Sequence, residues 1–141
     1  MMKNYKFWLT MAIIFQILTG LIHSLSFFSN PLPNNDREEQ LLNLMTGYKF
    51  DLGAGYLRSM NDLFTSLSIA FMLFFIFGGI LNWYLLRNNI DVRVMKGVIM
   101  INVFFFGICL LAMMFFAFLP PIVLNGLVFI CLVGAFFTIR K

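Results

Sequence analysis

The residues with most to offer chemically are His23, the only histidine of the chain, and a handful of polar groups expected near it: Arg58, Asp62, Ser66 and Asn125. A histidine beside a carboxylate can hold or pass a proton near neutral pH, and hydroxyl and amide groups around such a pair supply the hydrogen bonds that fix it. Arg58 and Asp62 are four residues apart, hence on one face where they lie on a helix, and Thr65 and Ser66 continue the polar patch. The expectation is an outward-facing polar pocket. In it Asp62 orients or charges His23, Arg58 balances Asp62, and Ser66 and Asn125 supply hydrogen bonds. The same residues would serve a plainer purpose if they only satisfied one another and pinned a loop onto a helix bundle.

Other chemistries find less support. No Cys-x-x-Cys is present for thiol redox work, no His, Cys, Asp and Glu cluster has metal-ligand spacing, and no glycine-rich loop follows a strand. Cys109 and Cys131 have neither the number nor the spacing of a disulfide framework or a zinc site. A transmembrane b-type haem usually takes two axial histidines, and a hydrolase triad lacks a clear nucleophile beyond Ser66 beside His23 and Asp62. No metal and no cofactor is therefore expected. The net charge of +4 comes from basic residues scattered in ones and twos rather than gathered in a patch, so a nucleic-acid partner is not expected either.

The elements that must position these residues follow from composition. The chain has 141 residues, 61% hydrophobic and 11% charged, against about 25% charged in a soluble domain. Ten Lys and Arg with six Asp and Glu cannot coat a soluble domain of this size, so the solvent is largely lipid and the bilayer is the first partner. About 20 helical residues cross a hydrocarbon core. Uncharged stretches of that length predict spans over about 7–28 and 61–86. The stretch from Gly97 to Ile139 is about twice too long for one span, and Pro120-Pro121 near its middle predicts a turn between spans over about 94–119 and 122–139. The first stretch exceeds a signal h-region and reads as a retained helix, stopped by the cluster Ser29-Asn30-Pro31-Leu32-Pro33. The fold class is all-α: an integral-membrane four-helix bundle in a single domain.

Lys3, Lys6, Arg87, Arg93, Lys96, Arg140 and Lys141 fall on one side of these spans, and Arg37, Lys49 and Arg58 on the other. That excess predicts cytoplasmic N and C termini. Tyr5, Trp8, Trp83 and Tyr84 on one side, and Tyr48 and Tyr56 on the other, sit at predicted boundaries, where amphipathic rings prefer to lie. The outer loop, about 29–60, contains a predicted short amphipathic surface helix over about 36–46. Asn34 or Asn35 caps it, Asp36, Glu38 and Glu39 meet its positive end, and Gly47 closes it. Residues 48–56 read as loop. Within the spans Gln16, Asn82 and Asn102 look isolated and read as hydrogen-bonding glue, while Gly78-Gly79 and Gly134-Ala135 allow close helix contact.

The run Gly20-Leu21-Ile22-His23, then Met45-x-x-Tyr48, then Arg58-Ser59-x-x-Asp62-Leu63, Ser68, and Gly79-x-x-Asn82 resembles a family of small, uncharacterised bacterial four-span membrane proteins. The resemblance covers about 20–87. It implies a four-helix protein of the bacterial cytoplasmic membrane with His23, Arg58 and Asp62 at motif positions, and it implies no activity, substrate or cofactor.

The leading functional expectation is a non-enzymatic membrane protein that holds a small lipophilic ligand, or supports a partner, at the outward-facing pocket. The alternative is a membrane-embedded enzyme using His23 and Asp62 on a quinone, lipid or isoprenoid. A proton-coupled transporter would show polar groups along a whole pathway, and the inner half carries little beyond Asn82 and Asn102. Four spans enclose little volume, so a homo-oligomer is compatible with the sequence.

Overall fold

Apolar residues fill long uncharged stretches here because a helix satisfies every backbone hydrogen bond within itself, which a bilayer requires. The computed structural model describes residues 3–28, 32–51 and 53–139. It contains α1 (Lys3–Ser24) with a 3-10 extension (Leu25–Phe28), α2 (Asp36–Gly47), β1 (Lys49–Asp51), β2 (Leu57–Ser59), α3 (Met60–Arg87), α4 (Val92–Phe116) and α5 (Leu119–Thr138). The extended α1, α3, α4 and α5 are each long and apolar enough to cross a membrane. The outward surface agrees, since large rings such as Phe115, Phe116 and Phe137 stand exposed, Phe116 at 91%. A surface this apolar is stable against lipid and not against water. The chain is a multi-pass, all-α membrane protein. The cluster Ser29-Asn30-Pro31 and the basic residues Arg140 and Lys141 lie outside the described residues.

α1 is the central helix, packed between α3 and α5, while α4 packs on α5. Small residues allow the closest approaches. A Cβ on Gly79 would stand 2.8 Å from Ile17 Cγ1, and one on Gly20 would stand 2.6 Å from Ile76 Cγ1 and 3.1 Å from the Met72 carbonyl, so both glycines hold α1 and α3 together. On the opposite side Gly134 lies under the Trp8 ring, where an added Cβ would come within 2.7 Å. The backbones of α3 and α4, although joined by a short turn, stay apart over nearly all their length. Side chains bridge the gap, with Phe106 against Phe74 and Phe75 at ring-centroid distances of 5.3 and 5.2 Å.

The connections between the helices correct two expectations. Pro120 and Pro121 do not form the turn between the last two spans; they lie in the first turn of α5, after the N-cap Phe118. Proline suits that place because first-turn N–H groups have no helical partner to lose. Gly47 closes α2 as expected, though without a left-handed turn. It is the last helical residue, and Tyr48 follows as an extended C-cap whose N–H donates to the Leu44 carbonyl. Residues 48–56 are not all loop, since β1 and β2 pair antiparallel with Phe50 opposite Arg58. The turn is made by Gly53, Ala54 and Gly55, all at positive φ, which glycine reaches without steric cost. The N-terminus of α2 follows expectation. Asn35 Oδ1 accepts from Glu38 N at 3.0 Å, and Asn34 donates to the Glu38 carboxylate through its backbone N (2.7 Å) and Nδ2 (2.9 Å). Those bonds hold the Glu38 carboxyl below its usual range.

Candidate functional site

His23 lies in the last turn of α1, at the end of the bundle opposite the termini. Its ring meets Phe71 of α3 edge to face, with centroids 4.8 Å apart, and Phe27 at 6.3 Å. His23 Nε2 is buried and makes no hydrogen bond. Leaving a buried polar atom unpaired costs about 1–3 kcal/mol, so its retention in an aromatic surround asks for an explanation.

Two cavities meet at this ring. The larger, about 560 Å³, lies between α3 and α4 and is lined by Phe64, Leu67, Ser68 and Phe71 on one wall and Met113 and Phe116 on the other. The smaller, about 200 Å³, lies towards α1 and α5 and is lined by Thr19, Ile22, Ser26 and Leu124 among others. His23, Phe71, Phe118 and Pro121 belong to both walls. Thr19 is already tied to the Phe15 carbonyl at 2.6 Å, whereas the Ser68 hydroxyl has no bond within the described residues.

The other residues expected beside His23 are placed differently. Asp62 does not orient the imidazole. Its carboxylate accepts from Ser59 N at 2.9 Å while Ser59 Oγ accepts from Asp62 N at 3.1 Å, a reciprocal capping box at the start of α3. Ser-x-x-acid ahead of an apolar run is a signature of that motif, so Ser59-x-x-Asp62 carried the signal in its spacing. Arg58 is exposed on β2, with its guanidinium 6.0 Å from the centroid of the Tyr56 ring. Ser66 is exposed. Asn125 is fully buried in α5, where Nδ2 donates to the Phe106 carbonyl at 3.4 Å and Oδ1 has no partner. None of the four lines either cavity at His23. The residues lining the cavities with the histidine are instead largely apolar, Phe71, Phe118 and Pro121 among them, with the hydroxyls of Thr19, Ser26 and Ser68.

A second polar cluster corrects the reading of Gln16, Asn82 and Asn102 as isolated. Asn82 Nδ2 donates to Gln16 Oε1 at 3.1 Å and to Asn102 Oδ1 at 3.2 Å, and Asn102 Nδ2 donates to Asn82 Oδ1 at 3.3 Å and to the Val98 carbonyl at 2.9 Å. Three helices are thus tied by side-chain amides, which is the role expected of interhelical glue. Gln16 Nε2 is left buried without a partner.

Among the described residues no group of three or more His, Cys, Asp and Glu is arranged to hold a metal. The fold and the site define a four-span helical membrane protein with an apolar cleft at one end, bottomed by one histidine. No protein-family model, curated protein or solved structure matches the chain.

Proposed function

We propose that the protein binds a small lipophilic molecule in the cleft beside His23, with the imidazole as its polar anchor. The observation that carries this reading is His23 Nε2, buried and unpaired in the wall shared by two cavities. Sites for small molecules are mostly apolar, with a few placed polar groups that fix orientation, and the volume of about 560 Å³ falls within their usual range of about 300–1,000 Å³. A neutral imidazole can donate or accept at Nε2 according to tautomer, so a hydroxyl or carbonyl end group would satisfy it. Nε2 is covered by its surroundings in this arrangement. A half-turn of the ring about Cβ–Cγ exchanges Nε2 with Cε1, so binding requires either that turn or a rotation of Phe71.

The excess of Lys and Arg at the end bearing the termini supports cytoplasmic termini in a bacterial cytoplasmic membrane, which puts the cleft in the outer leaflet. The experiment is native mass spectrometry of the gently extracted protein, with the organic extracts of wild type, His23→Phe and Asp62→Ala compared. Wild type and Asp62→Ala are expected to carry the same small molecule, and His23→Phe to lose it while keeping its oligomeric state. An empty wild type, or a His23→Phe protein equally loaded, would overturn the reading.

A further inference from the structure

We infer that the cleft takes a neutral lipid with an oxygen head group, a hydroxyl or carbonyl, and that it loads sideways from the bilayer through the gap between α3 and α4. This rests on the His23-binding reading and narrows it to a chemical class and a route.

The route follows from where the bundle is closed and where it is not. The α1–α3 seam is sealed by Gly20 and Gly79, each so close to its neighbour that an added methyl would clash, and Gly134 seals the α1–α5 seam against Trp8. Between α3 and α4 the backbones stay apart over nearly all their described length, and the larger cavity lies in that gap. Leu67 from α3 and Phe116 from α4 line it, and both are largely exposed on the outside of the bundle, where the surface meets lipid acyl chains. A lipophile dissolved in the bilayer therefore reaches His23 without crossing water.

The head group follows from what the walls lack. Neither cavity is lined by Lys, Arg, Asp or Glu. A phosphate or carboxylate would be taken from water into an apolar cleft with no fixed counter-charge, which is costly. Arg58, the cation nearest in sequence on this side of α3, is exposed and sits over Tyr56. What the walls do supply is neutral polar groups: the Thr19 and Ser26 hydroxyls already donate to the Phe15 and His23 carbonyls at 2.6 and 2.7 Å, and His23 Nε2 and the Ser68 hydroxyl remain as the groups that make no such bond. Thr10, Thr19, Ser24 and Thr138 bond a carbonyl one turn back on their own helices, and Ser68 does not, so its hydroxyl is open to a ligand. An alcohol can donate to one group and accept from the other. A carbonyl oxygen can accept from both.

The test uses the full chain in lipid nanodiscs and a long-chain alcohol bearing a diazirine in mid-chain, with photolabelled residues mapped by mass spectrometry. Saturable labelling is expected on Leu67, Met113 and Phe116, displaced by excess unlabelled long-chain alcohol or methyl ketone and not by a fatty acid or phosphatidylglycerol. His23→Phe with Ser68→Ala removes two hydrogen bonds and should weaken the apparent affinity about tenfold or more. Ala117→Trp, which fills the cleft from the α4–α5 turn and touches neither polar group's chemistry, should abolish saturable labelling independently. Displacement by the fatty acid or the phospholipid instead would overturn the head-group inference and leave ligand binding at His23 standing. Unsaturable labelling spread over lipid-facing Phe104, Phe115 and Phe137 would overturn both. Saturable labelling undiminished by Ala117→Trp would overturn the cleft as the binding site, and the route into it with it.

Discussion

Ser59 and Asp62 cap one another across the first turn of α3, each donating its backbone N–H to the other's side chain, at 2.9 and 3.1 Å. The bond pair fixes where the second span begins and joins β2 directly to it. It also commits the Asp62 carboxylate to structural work at a site where catalysis would have needed it at His23.

Ser59→Ala should therefore cost about 0.5–2 kcal/mol of stability, the usual range for a lost N-cap. Asp62→Ala should destabilise in the same direction, because it removes the carboxylate that accepts from Ser59 N. Unfolding followed in mixed micelles checks both, and neither variant should alter the molecule retained at His23. Loss of that molecule in Asp62→Ala with the fold intact would restore a His23–Asp62 partnership.

His23→Phe should leave the ligand-free protein as stable as wild type or more so, by up to about 1–3 kcal/mol, because it removes a buried nitrogen that has no partner. The measurement is the thermal midpoint of delipidated protein in detergent. A marked fall would show that the imidazole makes a stabilising contact in the ligand-free state.

Asn82→Leu strips Gln16 and Asn102 of their shared partner and should destabilise the bundle by about 1–2 kcal/mol. Replacing Gln16, Asn82 and Asn102 together by Leu should cost less than the three single changes summed, since no half-satisfied amide is left behind. Additive losses in that cycle would mean the three amides act independently.

Gly79→Val should cost about 1–3 kcal/mol through overpacking, because Ile17 Cγ1 and Gln16 Cβ already crowd the position where its Cβ would stand. Gly97→Val, at a glycine with nothing within 4 Å, is the matched control and should pack without a clash. Equal losses at both sites, measured by the same unfolding assay, would argue against a tight α1–α3 seam.

The cap of α2 should respond to acid. The Glu38 carboxyl is held below its ordinary range by the bonds from Asn34, so its contribution is complete above the unfolded value, about 4.3, and is lost as pH falls through the lower folded value. NMR of the Asn34 and Glu38 amides between pH 6 and pH 2 reads this, and Glu38→Gln should abolish the transition.

The four spans were legible because a bilayer demands long uncharged stretches, and Asp62, Arg87, Arg93 and Lys96 mark their ends. The start of α2 was legible from Asn35 and the acids after it. The site was legible only in part, since distance along a helix gives depth but not azimuth. Asp62 and Ser66 were set near the depth of His23, yet packing turns them outward and brings Ser68 and Phe71 round instead. For the same reason Gln16, Asn82 and Asn102 looked solitary along the chain and meet in space. The hairpin went unseen because three-residue strands are too short to show an alternation.

The placing of α1 between α3 and α5 has a consequence for biosynthesis. Gln16 emerges from the ribosome 66 residues before Asn82, the partner that accepts its place in the membrane. Until α3 follows, that amide faces either the insertion machinery or lipid, and the groove along Trp8 stays open until Gly134, far later in the chain, has been made. The keystone of the bundle is laid before the helices that lock it, so a chain cut short before α5 would carry an unfinished seam along Trp8.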